Sequence, residues 1–167
     1  ATVRPAAPPD LDAATALWLE LIRWDAQFGT GCVERPATAR VFRQALRDAL
    51  GRPEPWTWVA QVDGRVVGLL MIDPPERAGW VAPMIAAAPT GYLGGLVVTG
   101  RRRGTGAGAA LVRAGHRALD AAGAGVTLLH YAGLNPLSAP FWHQCGYRPL
   151  WTTWRVSPAA RLGLATL

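Results

Sequence analysis

Lysine is missing altogether from this chain of 167 residues: the 17 basic side chains are all arginine, set against 11 acidic ones for a formal charge of +6. A phosphate-binding loop of the kind that needs Gly-Lys followed by Ser or Thr is therefore excluded, because no ammonium can reach the phosphates. Cysteine is scarce as well. Cys32 and Cys145 make neither a disulfide framework nor a metal site, so no metal is expected, and both read as reduced thiols, with Cys145 packed under the end of a helix. No apolar run approaches the roughly 20 residues of a membrane span, so no membrane partner is expected. The opening residues ATVRPAAPPD lack the charged and apolar regions of a secretory signal, which makes a cytoplasmic setting the default expectation. Repeats and low-complexity linkers are also lacking. One domain over residues 1–167, half of them hydrophobic, has enough apolar material for a substantial core.

The positive charge raises nucleic acid as a partner, but no reading motif accompanies it. Alanine, glycine and proline are abundant beside arginine, the mark of a composition bias, and scattered arginines are most simply a solvated surface. No nucleic-acid partner is expected.

What the chain does have is concentrated between Leu93 and Arg117, LGGLVVTGRRRGTGAGAALVRAGHR: an apolar strand, a loop of arginines and glycines, then a helix. Arg103, Gly104, Thr105, Gly106, Ala107 and Gly108 make an RxxGxG spacing. Glycines let the backbone approach a ligand without an intervening side chain, and the free N–H groups and dipole of a helix start attract negative charge. Arg101, Arg102 and Arg103 add a cluster suited to phosphates. A dinucleotide fingerprint matches Gly104, Gly106 and Ala109 literally, but Thr99 to Arg103 intervene after the strand, and the next strand ends in His130 and Tyr131 rather than an acidic residue.

Elsewhere the hydrophobic period assigns the elements. Thr2 to Arg4 suits a short strand, and Asp10 or Asp12 an N-cap for a helix to about Phe28, with Leu11, Ala14, Leu17, Trp18, Leu21 and Ile22 on one face and Gly29 and Gly31 ending it. Thr38 is expected to cap a second helix that Gly51 and Pro53 stop. Trp56 to Val62 and Arg65 to Ile72 read as strands joined by an Asp63-Gly64 hairpin turn, with Asp73 and two prolines as a stop. Glu76 to Thr90 reads as a mostly irregular insertion. Beyond it come a strand (Leu93 to Val98), a helix (Gly106 to Ala122), a strand (Val126 to Tyr131), a helix (Ser138 to Cys145) and a closing strand (Arg148 to Val156). Such an order argues for a single α/β or α+β domain.

A second landmark, NPLSAPFWHQCGY from Asn135 to Tyr147, places an asparagine, a small residue, an aromatic, a glycine and an aromatic in series. Together with the RxxGxG segment it resembles the GNAT superfamily of acyl-CoA-dependent N-acetyltransferases, over about the last half of the chain. The resemblance implies a mixed, strongly twisted sheet flanked by helices, whose central strands splay to leave a slot for the pantetheine arm of acetyl-CoA, the expected co-substrate. It implies that Leu96, Val97 and Val98 line that slot and that Arg103 to Gly108 cradle the pyrophosphate. Asn135 is then expected on the cofactor arm, Ser138 to add a polar contact or cap its helix, and Trp142, with Phe141, to pack against the pantetheine or adenosine.

The chemistry implied is acyl transfer to the primary amine of a small molecule or peptide, which must first lose a proton. Relatives often use a glutamate on the central strand as base, and a tyrosine at the aromatic position of the distal segment as acid. Here Tyr92 to Val98 contains no acidic residue, and Trp142 replaces the tyrosine. His130 is the first candidate for the base, since an imidazole titrates near neutrality, and Tyr131 for the acid. Glu20, Asp25 and Glu34 fall where relatives build the acceptor site, and Trp18, Trp24, Phe28 and Trp80 are candidate walls for an aromatic pocket. The two departures keep open an alternative, a noncatalytic acyl-CoA-binding module on the same fold. A homodimer built through strand-edge and C-terminal contacts, as in many relatives, is also compatible, although Ser157 to Leu167 offer no decisive pattern. Having no lysine, such an enzyme could not be regulated by acetylation of its own lysine side chains.

Overall fold

The Asp63-Gly64 pair sits at the turn of the central hairpin, with φ of 50° and 72°, the left-handed values a two-residue turn between twisted strands requires. In a computed structural model, which describes residues 1–30, 34–86 and 89–154, this hairpin joins β2 (Thr57–Val62) to β3 (Arg65–Asp73). It is extended by β1 (Thr2–Pro5) on one side and by β4 (Thr90–Val98) and β5 (Val126–Leu129) on the other. The order in the sheet is β1-β2-β3-β4-β5; β4 and β5 run parallel and every other pair is antiparallel.

Each face of the sheet is covered. On one, α1 (Leu11–Ala26) and α2 (Pro36–Leu50) enclose Ala14, Leu17, Leu46 and Leu50 against Val59, Leu69 and Val97. On the other, α3 (Ala107–Ala121) sets Leu111, Val112 and Leu119 on Ala60, Leu70, Ile72 and Leu93, and α4 (Ser138–Gln144) adds Trp142. Strand alternation explains the division, because successive side chains of β3 leave the sheet on opposite sides. Two close approaches hold the layers together. A Cβ on Gly115 would lie 2.7 Å from Leu70, and one on Gly95 would collide with the Trp18 ring, which stacks on Phe42 at 4.5 Å.

Most expected elements are present, with three corrections. The second helix begins at Pro36 rather than after Thr38, since proline suits a first turn whose N–H groups lack partners; Thr38 Oγ1 instead accepts the Arg35 N–H. Ser138 does not cap α4, because Asn135 Oδ1 takes the Leu137 N–H at 3.1 Å. The closing strand expected over Arg148 to Val156 is not formed by residues 148–154. There Pro149 lacks a donor, and the Arg148 guanidinium turns back to donate to the Tyr147 and His143 carbonyls at 2.8 and 3.2 Å. Arg155 and Val156 lie outside the described residues, as do Cys32, Gly31 and the segment from Ser157 to Leu167. The stretch after β3 is irregular, as expected, with 3-10 turns at Ala78–Trp80 and Ala82–Met84.

Candidate active site

Strand β4 delivers the chain to the glycine-rich loop, and two left-handed residues shape it: Gly104 with φ of 75° and Gly106 with φ of 81°. Gly106 is the residue that opens α3. Nothing stands within 4 Å of where a Cβ would be at either glycine, so the space above the turn is open. The Ala110 N–H bonds the Gly106 carbonyl, which leaves the N–H groups of the first turn aimed outward at the positive end of the helix dipole. Thr105 braces the turn by donating to the Arg102 carbonyl at 2.7 Å. Arg101, Arg102 and Arg103 are exposed around it. This arrangement fits a diphosphate: donors on the main chain, guanidinium groups at the rim and no side chain in the way.

Beside the loop the sheet is split. Residues Thr90 to Leu93 of β4 pair with Val126 to Leu129 of β5, and there the pairing stops, although β4 continues to Val98. On the β3 side the ladder shifts register between Met71 and Ile72, opposite Gly95 and Leu93, so Gly94 is an extra residue at the point where β5 departs. Beyond it Leu96, Val97 and Val98 stay paired with β3 and, among the described residues, have no strand on the other side. Val97 is buried in one core, and the partly buried side chains of Leu96 and Val98 pack against the other.

The last turns of α1 cross this split. Glu20 accepts the Gly100 N–H at 2.9 Å, Trp24 carries the Arg103 guanidinium over its ring at 4.5 Å, and Asp25 accepts from Asn135 Nδ2 at 3.2 Å. Burial pushes the Asp25 carboxyl up, against the lowering effect of the Asn135 bond. The structure thus brings Arg103 and Asn135 together with α1, which sequence reasoning placed near the site without a partner. Glu34 is engaged elsewhere, by Arg23 at 2.9 Å.

At the inner end of the split, His130 follows the last residue of β5. Its Nδ1 shares a hydrogen bond of 3.1 Å with the Tyr92 hydroxyl. Trp80 meets Tyr92 edge-on at 4.7 Å and lies nearly parallel to the imidazole at 6.4 Å, while Trp151 is 6.1 Å from it. Asp73 pairs with Tyr92 across the sheet, and burial raises its carboxyl despite Arg77 and Arg52. The Tyr92 phenol is raised by burial and by Asp73. A cleft of about 930 Å³ beside β5 is walled in part by His130, Tyr131, Trp151 and Phe28.

Sequence reasoning chose His130 and missed Tyr92 and Asp73, one of which it took only as a place without a carboxylate and the other as a strand stop. Their signal is a shared face: opposed residues of neighbouring strands project to one side. The four aromatic walls do not form one pocket. Trp18 packs with Phe42, Trp24 with Phe28 and Arg103, and only Trp80 joins His130. Trp142 is 7 % exposed, within the core beneath α3, and Phe141 is the ring that borders the loop, 3.3 Å from a Cβ built on Gly108. Ser138 opens α4. Among the described residues, no group of three potential metal ligands occurs, and no helix is long and apolar enough to cross a membrane.

A mixed sheet parted beside a glycine-rich helix start is the architecture that the sequence resemblance implies. The chain belongs to the acetyltransferase (GNAT) family, whose model matches residues 18–147. Solved structures agree on the fold. A GCN5-related N-acetyltransferase from Ralstonia eutropha JMP134 aligns with a TM-score of 0.68 at 22% identity, over 95% of this chain and 98% of its own. An aminoglycoside antibiotic 6'-N-acetyltransferase from Acinetobacter haemolyticus gives 0.72 at 16%, over 94% and 97%. The ribosomal-protein-alanine N-acetyltransferase of Brucella melitensis biovar Abortus 2308 gives 0.63 at 16%, over 93% and 99%. No curated protein matches by sequence.

Proposed function

We propose that the chain transfers an acetyl, or another short acyl, group from acyl-CoA to a primary amine. The observation that carries this reading is the continuity of the glycine-rich turn with the outer half of β4, which β5 leaves uncovered: a phosphate cradle opening into a slot edged by strand backbone, with the Arg103 Nε donating to the Val98 carbonyl at 3.4 Å where the two meet. When bound, acetyl-CoA supplies an activated thioester, at whose carbonyl carbon the amine forms a C–N bond as the C–S bond breaks. Arg103 and the N–H groups from Gly104 to Gly108 hold the phosphates, and the backbone of Leu96, Val97 and Val98 aligns the arm. Asn135 holds the far side of the slot. Trp142 supports Phe141 from within the core, and Ser138 stands at the start of the helix that presents both.

An ammonium cannot attack, so its proton must leave first. His130 is the group we assign to accept it, at Nε2, in the tautomer whose Nδ1–H donates to the Tyr92 hydroxyl. Tyr131, exposed beside it, is the candidate donor to the departing sulfur. A second reading, an acyl-CoA-binding module without turnover, is favoured by one feature: β4 offers no carboxylate between Tyr92 and Val98.

Calorimetry with acetyl-CoA, followed by thiol release from the same sample across an amine panel, tests both. Binding with thiol release is expected; binding alone across the panel would favour the module. Failure of a folded sample to bind would overturn the cradle.

A further inference from the structure

Two large rings near His130 are left in contact with solvent: Trp80 is 54 % and Trp151 40 % exposed. Indoles are seldom left so open, and a cluster of them marks a surface that something covers. Here they gather at the place where β4 and β5 part, within 6.4 Å of the imidazole assigned to the amine's proton, and the adjoining cleft of about 930 Å³ is of a size that takes a small molecule. Tyr131 adds a third exposed ring to the cleft wall.

The charges around the cluster are as telling as the rings. Asp73 is the carboxylate whose field reaches Tyr92, and it already faces Arg77 and Arg52. Asp25 is bonded to Asn135, and the cleft itself is lined by a single carboxylate, Asp120, on α3 beside His116. An acceptor with several ammonium groups would need several free carboxylates, and the chain's charge of +6 would repel it at long range. A single ammonium is served by less, since aromatic faces attract one cation without a full counter-charge.

We propose that the acceptor is an aromatic monoamine: a flat ring, on a short chain ending in one cationic nitrogen, stacked against Trp80 or Trp151 with its nitrogen at His130. This deepens, and rests on, the transferase reading of the same site. The ring supplies stacking area, and the chain sets the nitrogen where β5 ends.

The test separates binding from chemistry. Equilibrium binding of 2-phenylethylamine, 2-cyclohexylethylamine, spermidine and kanamycin is measured by calorimetry on the protein saturated with coenzyme A, which has no acyl group to transfer, and thiol release is recorded in parallel with acetyl-CoA. The expected result is about tenfold tighter binding of 2-phenylethylamine than of the other three, in line with the added value of ring-on-ring contacts. Trp80→Ala or Trp151→Ala should abolish most of that advantage, and the Phe replacement at the same position should restore it, with thermal melts confirming that each variant folds. Equal affinity for 2-cyclohexylethylamine, tighter binding of spermidine or kanamycin, or no loss in either alanine variant would overturn the proposal. Ring-dependent binding without thiol release would leave this surface standing and remove the transferase reading. Thiol release with spermidine or kanamycin, without ring-dependent binding, would do the reverse.

Discussion

His130 and His116 show how differently one residue type behaves in two settings of the same molecule. His130 is exposed at the end of β5, where it lines the cleft with its Nδ1 engaged by Tyr92. If it receives the amine's proton, His130→Ala should lower kcat/KM by about 100-fold or more, the range for loss of a general base, with acetyl-CoA affinity kept. A rate profile against pH that is identical in the variant would remove it from the mechanism. His116 is instead half-buried on α3, sharing a 2.9 Å hydrogen bond with the Tyr147 hydroxyl, and burial lowers its readiness to take a proton. The unfolded chain therefore binds that proton first. Stability from this group is complete above the ordinary histidine range, about 6.5, and falls as the pH drops below it. Urea unfolding at neutral pH and near pH 5.5 should show the loss, and His116→Gln should shrink the difference.

At the scale of the element, the start and the end of α3 offer a matched pair. Gly106 opens the helix with φ of 81°, Gly123 follows its end with φ of 77°, and neither has an atom within 4 Å of where a Cβ would stand. Valine at either position is forced into a left-handed conformation that costs roughly 1–2 kcal/mol. Gly106→Val and Gly123→Val should lower the melting temperature by similar amounts, while only Gly106→Val weakens acetyl-CoA binding in calorimetry. Equal affinities in the two variants would sink the phosphate assignment.

These elements were legible to different degrees for physical reasons. The Asp63-Gly64 turn and the RxxGxG loop declare themselves because left-handed backbone selects few residues, so composition reports conformation directly. The end of β4–β5 pairing was legible only through the family resemblance, since neither strand's alternation says where its neighbour leaves. The partnership of Tyr92, Asp73 and His130 went unread, because the shared face that signals it depends on register between β3, β4 and β5. The closing strand was over-read: the aromatic and β-branched run Trp151, Thr152 and Thr153 suits a strand, but propensity is not a hydrogen-bonded partner.

For the whole molecule, charge works with the fold. An excess of arginine, part of it exposed around the loop, should draw in an anionic co-substrate from a distance. Raising the salt from about 0.01 to about 1 M shortens the Debye length from about 30 to about 3 Å, so acetyl-CoA affinity should weaken several-fold across that range. Calorimetry in a salt series checks it, and a flat response would assign the binding to backbone donors and apolar contact alone.

The turn between β4 and α3 has one more consequence. Most of its donors are main-chain atoms, so apart from the glycines that permit the shape and the arginines at its rim, few substitutions can alter what it recognises. The acceptor side we propose is built from Trp80, Tyr92, His130 and Trp151, every one a side chain. One half of the machine is therefore deaf to most mutation and the other is rewritten by single changes, which makes this a scaffold that can acquire new substrates while spending the same currency.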